Sequence, residues 1–496
     1  MAAERLGGGG VIQGQQAHSY ADADATEPPV VRLAPPPWRR ALHAQGGMRR
    51  PVDQATLFAR QPARVYISTH HKFFISGLFS LCWVALSVWI SLPWIGDASR
   101  LIGLAPAVIM ISCIAFLPGS MVAFLSMSLL LDRQPRFRDL HPTTAADILI
   151  AARNEEAGIG QTIEYLSRQD YEGPLCVVLA DNGSTDRTVE LARAAATAHG
   201  VNLRIVHEAT PGKSHALNKG LEVCTSPLVI TVDADTLLHP SAVRLLIARL
   251  ESSPEEVVAV AGTVLVRNGR ASFWSKLQEW DYFLGIASVK RMQGLFQSTL
   301  VAQGAFSLYR ADAVRRVGGW PDAIGEDILL TWQLLHREGL VYFEPLSVAF
   351  TTAPENLKAF ARQRSRWARG MLEGLKSVPP WRHSRYRTAA LAFTNLAIPL
   401  VDLGYTFIWL PGLALAFTGR YYIVGPMTLA VLPLTFVVYW VLYRQQRDRV
   451  FAPLGLQVRR NRAGLLLFIV LYQPVMSLVS VMGYGQELLH LRRRWR

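Results

Sequence analysis

The chain has 496 residues, 50% hydrophobic and 18% charged, with a mean hydropathy of +0.19 and a formal net charge of +14. That is long enough for one soluble domain of ordinary size together with several membrane spans. Much of the basic excess sits beside apolar segments, where it meets anionic headgroups, so the charge does not argue for nucleic acid as a partner. Cys82, Cys113, Cys176 and Cys224 lack metal-ligand spacing and read as buried or inert thiols in a reducing compartment.

Residues 1–60 carry a Gly run (Gly7 to Gly10), a Pro run (Pro35 to Pro37) and little hydrophobic periodicity, and are expected to be disordered. Met48, followed by Arg49 and Arg50, is an alternative start. Residues 61–135 hold two expected spans, near 73–95 and 105–131, each long enough for a hydrocarbon core that needs about 20 residues. The first begins too far along, and lacks a small-residue cleavage site, to read as a signal peptide. Residues 136–387 read as a water-soluble α/β domain, and 388–496 as about three further spans, near 389–418, 422–443 and 463–485.

Arg60, Arg64 and Lys72 precede the first span, Arg133, Arg136 and Arg138 follow the second, and Arg444, Arg447, Arg449, Arg459, Arg460 and Arg462 fill the loop after the fourth. The positive-inside rule then puts these flanks and the central domain in the cytoplasm. Five spans would leave the basic tail Arg492-Arg493-Arg494-Trp495-Arg496 outside; either the count is off by one or the last segment is re-entrant or interfacial.

Within the central domain, Ala146 to Ala152 and Leu175 to Ala180 are apolar runs of strand length, separated by a helical stretch from Ile159 to Arg168. This predicts a βαβ unit with parallel strands. A helix is expected over Thr185 to Ala198, capped by Ser184 with Asp186 in its first turn, then strands at Leu203 to Val206 and Pro227 to Val232. Asn154-Glu155, Asp181-Asn182 and Asp233 to Asp235 each follow a strand, so three polar clusters converge on the carboxyl edge where open α/β sheets bind ligands.

Asp233 and Asp235, two apart after VITV, can face one hydrated pocket and suit Mg²⁺ or Mn²⁺ beside a diphosphate. A bare Asp-x-Asp carries little weight, since Asp22-Ala23-Asp24 repeats it without a strand before it. Asp181-Asn182-Gly183-Ser184-Thr185-Asp186 is good turn chemistry in any protein; paired with the Asp233 cluster, it favours a nucleotide contact by Asp181. Lys213 opens a helix after Pro211-Gly212, either as an ordinary helix start or as a cation near a donor. Glu326-Asp327 begins the amphipathic stretch Ile328 to Glu338, where acids favour a helix N-terminus and where one carboxylate could equally take a proton from a sugar hydroxyl. Gln363-Arg364-Ser365-Arg366-Trp367 suits a solvated basic helix face; it also suits an indole stacked on a sugar, with Arg and Gln on a diphosphate.

With the motifs at 181–186, 233–235, 325–327 and 363–367 in that order between two sets of spans, the chain resembles the processive family 2 glycosyltransferases: poly-β-1,6-N-acetylglucosamine, chitin-oligosaccharide, hyaluronan and cellulose synthases. The resemblance covers about 145–385 and the flanking spans. It implies a GT-A-type domain inserted between transmembrane helices of a multi-pass protein in the bacterial inner membrane. The activity it implies is inverting transfer from a UDP-sugar to a growing polysaccharide. By the family pattern, Asp181 contacts the uridine, Asp233 the ribose or diphosphate and Asp235 the metal, while Asp327, with Glu326 beside it, is the catalytic base. Asn182 and Lys213 join the donor site, Lys213 in a G-K-x-x-A-L-N element. Trp367 floors the acceptor site, and Gln363, Arg364 and Arg366 contact acceptor or diphosphate.

Three departures stand out. Asn182 replaces a carboxylate, Gly325 replaces the Thr of T-E-D, and no soluble domain follows the last span, which demotes cellulose as product. UDP-N-acetylglucosamine is the expected donor, with membrane lipids, a small accessory membrane subunit and export proteins as implied partners. The alternatives are a chitin-oligosaccharide, hyaluronan or cellulose type of synthase, a single-addition lipid glycosyltransferase, or a non-catalytic polysaccharide transport scaffold.

Overall fold

The computed structural model describes residues 67–425, 427–457 and 461–491. The expected disorder of 1–60, the second Asp-x-Asp, the alternative start, the flanking Arg60, Arg64, Arg459 and Arg460, and the basic tail all lie outside the described residues.

Helix α1 (Thr69–Ile102) opens on Ser68, whose hydroxyl accepts from the His71 amide. Gly103, at φ 85°, turns the chain directly into α2 (Leu104–Leu130). Phe74, Leu81, Trp89, Ile90 and Leu92 lie exposed along α1, an apolar surface that water penalises and lipid tolerates.

The central domain follows as β1 (Ala146–Ala152), α3 (Ile159–Leu166), β2 (Leu175–Asp181), α4 (Thr188–His199), β3 (Leu203–His207), α5 (Lys213–Val223), β4 (Leu228–Val232) and the two-residue β5 (Leu237–Leu238). Next come α6 (Ala242–Glu251), β6 (Val257–Val266), the rod α7 (273–295), β7 (Phe306–Arg310), α8 (Ala311–Arg316), α9 (Glu326–His336), β8 (Leu340–Thr351) and α10 (Leu357–Ser377). The strands form one sheet in the order β3-β2-β1-β4-β7-β6-β8-β5. The expected βαβ pair is there, Ala146 opposite Leu175 through Ala152 opposite Asp181, and β4 also runs parallel to β1. The sheet then turns mixed: β7 lies antiparallel between β4 and β6.

Period-2 alternation explains why β1 is apolar from Ile148 to Ala152, since both its faces are covered; Asp147, near its start, is buried but accepts from the Thr225 and Ser226 amides. Ile148 and Ile150 join one core with Ile163 and Leu246, while Leu149 points to the other with Leu217 and Leu221. Helix α4 begins three residues later than expected. The Ser184 hydroxyl accepts from the Asn154 amide instead of capping, and the Asp186 carboxylate accepts from the Thr188 amide.

After the domain come α11 (Tyr386–Ala416), α12 (Met427–Gln446) and α13 (Arg462–Leu488). Among the described residues, α1, α2, α11 and α13 are each long and apolar enough to cross a membrane. The expected fourth span coincides with α12, a helix of 20 residues. Ion pairs fasten the domain to the membrane helices: Arg291 on α7 holds Asp132 after α2 at 2.5 Å, and Lys376 on α10 reaches Glu487 on α13 at 3.0 Å.

Candidate active site

Strand β2 ends on Asp181, which is buried. One carboxylate oxygen accepts from the Ser184 amide, three residues on, at 3.2 Å, and the other meets His207 Nδ1 at 3.1 Å from the neighbouring β3. The next residue serves a different purpose. The Asn182 Nδ2 donates to the carbonyls of Glu208 and Thr210, and its Oδ1 accepts from the Gly212 amide at 2.8 Å. A carboxylate could not donate to those carbonyls, so Asn is the residue that ties this loop shut. Its amide is thereby engaged with the backbone that delivers Lys213.

Lys213 is the first residue of α5, placed by Gly212 at φ 152°. Its ammonium lies 2.6 Å from Asp233 Oδ1 and 3.6 Å from Glu326 Oε1. Burial alone would lower its pKa, but Asp233 and Glu326 overcome that and hold it above the usual lysine range. Burial pushes the Glu326 carboxyl upward, with Lys213 opposing and Asp327 reinforcing. Arg366 also acts on Glu326. Asp327, one residue on, accepts from the Gly304 amide at 3.0 Å. A side chain at 304 would meet Lys213 Nζ at 3.0 Å, so a glycine there leaves room for that cation while its amide serves Asp327.

Asp235 sits beside Asp233 with its carboxylate near the Thr351 hydroxyl, 3.3 Å away, and its pKa is raised by burial and then by Asp233. Glu155, after β1, is pushed up to about 7 by burial and then by Asp235, Asp233 and Asp186. The pocket therefore concentrates negative charge on hard oxygens, the chemistry that a Mg²⁺ or Mn²⁺ ion fits. Among the described residues no group of three or more His, Cys, Asp or Glu side chains is arranged to hold a metal. Two aspartates would leave the other positions to diphosphate and water.

Helix α10 carries Gln363 to Trp367 across this pocket, but its residues divide. Arg364 is 2% exposed, pairs with Asp281 at 2.8 Å, and lays its guanidinium 4.1 Å from the Trp367 ring centroid. Expected on acceptor or diphosphate, the Arg364 guanidinium is instead engaged by Asp281 and packed on Trp367 in this structure. A π turn over Asp281–Ile286 lies in α7 where Asp281 meets Arg364 and Tyr282 packs 6.3 Å from Trp367. Gln363 keeps a buried, unpaired carboxamide oxygen among the described residues. Gly325 and Gly370 press backbone to backbone where α9 starts on α10, and Glu373 accepts from the Ile324 amide at 2.7 Å.

Sequence reasoning missed Gly304, Asp281, Glu373 and the partner His207. Gly304 had a signal, a glycine just before an apolar strand-length run; Asp281 and Glu373 look like ordinary helix-surface acids until the packing is known.

The family described as "Glycosyltransferase like family 2" matches residues 142–370. Over 223 residues the chain is 32% identical to the poly-beta-1,6-N-acetyl-D-glucosamine synthase of Staphylococcus aureus (strain COL), and 30% identical to that of Staphylococcus epidermidis. Each match takes in 45% of this chain and 53% of the relative, so the chain spans about half the length of the curated relatives it matches. Among solved structures, the mannosyltransferase PcManGT from Pyrobaculum calidifontis, in complex with GDP-Man and Mn²⁺, is similar with a TM-score of 0.54 at 19% identity. That likeness covers 78% of this chain and 99% of the other, and it is one of fold. Mixed sheet, ordered motifs and family match agree: this is a membrane protein whose residues 142–370 form a GT-A-like, family 2 glycosyltransferase domain.

Proposed function

We propose that the protein is a processive, inverting glycosyltransferase that extends a β-linked polysaccharide. The donor is UDP-N-acetylglucosamine and the product poly-β-1,6-N-acetylglucosamine. The catalytic domain faces the cytoplasm of a bacterial inner membrane, with a small accessory membrane subunit and export proteins as partners. The observation that carries this reading is the convergence of Lys213, Asp233, Glu326 and Asp327 around the Gly304 backbone, beside a helix bearing Trp367 close to the membrane helices.

In this reading Asp181 holds the nucleotide while Asp233 and Lys213 hold the ribose and diphosphate end. Trp367 supports the terminal acceptor sugar and Asp327 faces its attacking hydroxyl. The hydroxyl oxygen forms the new bond to the anomeric carbon as the bond from that carbon to the UDP oxygen breaks. The hydroxyl proton goes to Asp327, and UDP departs with both electrons of the broken bond. A Mg²⁺ or Mn²⁺ ion on Asp235 and Asp233 would neutralise charge on the leaving diphosphate. Lys213 and Arg366 place further positive charge on the same side, and Asn182 holds the loop that aims Lys213.

The test is Asp327→Asn in purified protein. Polymer formation falls at least about 10²-fold, the lower end for removing a general base, while UDP binding persists. Wild-type polymerisation by that variant would remove Asp327 as base.

A further inference from the structure

Lys290 lies on α7 and is 8% exposed, yet among the described residues no hydrogen bond or ion pair engages its ammonium. Burying most of a lysine without a partner is costly, and proteins seldom retain one without use. Its surroundings say what the use is. Four and eight residues earlier on the same rod stand Ile286, packed on the apolar cluster that includes Trp367, and Tyr282, whose ring meets Trp367. Residues spaced by four share a helix face, so this face runs from the Trp367 platform toward Asp327.

Asp327 is the one acidic group acting on Lys290, whereas Lys213 is held first by Asp233 and Glu326. Asp327 therefore acts on two lysines. Lys213 lies with Asp233 and Glu326, whereas Lys290 lies on the rod whose Tyr282 packs against Trp367, the proposed acceptor platform. Burial pulls the Lys290 ammonium down to about 7, against the pull of Asp327, as befits a group whose partner is not part of the chain.

We propose that Lys290 is an acceptor-recognition residue, donating a hydrogen bond from Nζ to an oxygen of the terminal acceptor sugar and so holding that sugar in register with Asp327. This rests on the glycosyltransferase reading above. A site built to hydrogen-bond a sugar oxygen loses both affinity and register when the donor is removed, because the oxygen is then desolvated without a partner.

The experiment uses the full chain in lipid nanodiscs, with wild type, Lys290→Met and Lys290→Arg. Binding of β-1,6-linked N-acetylglucosamine oligomers is followed by Trp fluorescence, UDP binding by calorimetry, and melting temperature in parallel. Lys290→Met is expected to weaken oligomer binding at least tenfold, to leave UDP binding within twofold, and to raise the melting temperature. Lys290→Arg is expected to recover part of the oligomer binding. A structural lysine would behave oppositely, with a lower melting temperature and no selective loss. Lys290→Met binding oligomers as wild type does, while wild type binds them well, would overturn the assignment of Lys290 alone. Wild type that binds UDP but no oligomer would overturn the acceptor reading itself, and Lys290 with it.

Discussion

The contact between Gly325 and Gly370 sets the position of the Glu326-Asp327 pair, and a single methyl group tests it. A Cβ added at Gly370 would lie 2.8 Å from the Gly325 Cα and 2.9 Å from its N. Ordinary carbon contacts lie at about 3.5–4.0 Å, so Gly370→Ala must push α9 and α10 apart by about 0.7–1.2 Å. Both neighbours are backbone atoms, and no side-chain rotation relieves the overlap. The displaced residues include Glu326 and the proposed base Asp327, and a shift near 1 Å is enough to cost about 10² in turnover. Overpacking adds about 1–3 kcal/mol of lost stability. The assay is UDP release with saturating donor, alongside a melting curve. Gly374→Ala is the control, since a Cβ there meets only side-chain atoms of Ile328 and Trp332 at 3.2 Å and 3.4 Å. It is expected to keep turnover within about threefold, against the roughly 10² above. Gly370→Ala with wild-type turnover would refute the claim that this backbone contact positions Asp327.

Three further outcomes follow from the same structure. Arg364→Ala leaves Asp281 buried without its partner and is expected to cost about 3–5 kcal/mol, seen as a lower melting temperature. Arg366→Ala, by contrast, lowers turnover or donor affinity with the melting temperature held, because Arg366 acts on Glu326 without being a buried pair; equal melting losses in the two variants would erase the distinction. His383, outside the spans, has both ring nitrogens buried without partners among the described residues, packs edge-on against Trp332, and is pushed down to about 4 by burial and then by His336. The unfolded chain takes that proton first, so melting temperature should fall as pH drops from about 6.5 towards about 4, and His383→Phe should flatten the fall; an unchanged slope would remove His383 as its source.

The strands on which the site is built were legible because β1, β2 and β4 are mostly apolar runs of strand length, and because polar residues close or follow each of them. The antiparallel insertion of β7 was not, since a five-residue strand carries no mark of its direction. Ser184 looked like a cap for α4 because cap chemistry is local; its actual partner, Asn154, comes from thirty residues earlier and only tertiary structure brings it there. Arg364 is the instructive case. Grouping it with Gln363, Arg366 and Trp367 followed sequence adjacency, whereas helical spacing sets it above Phe360 and beside Ala368, both buried. The face it occupies was readable, but its partner Asp281, on a different helix, was not.

The most direct test is incorporation of labelled sugar by the purified protein in lipid with Mn²⁺ or Mg²⁺, offering UDP-N-acetylglucosamine, UDP-glucose and UDP-glucuronate separately and digesting the product with linkage-specific hydrolases. The account predicts a long polymer from UDP-N-acetylglucosamine alone, cleaved by a β-1,6-specific enzyme and lost when the metal is chelated. Polymer from another donor, or a single sugar added to lipid with no chain growth, would contradict it.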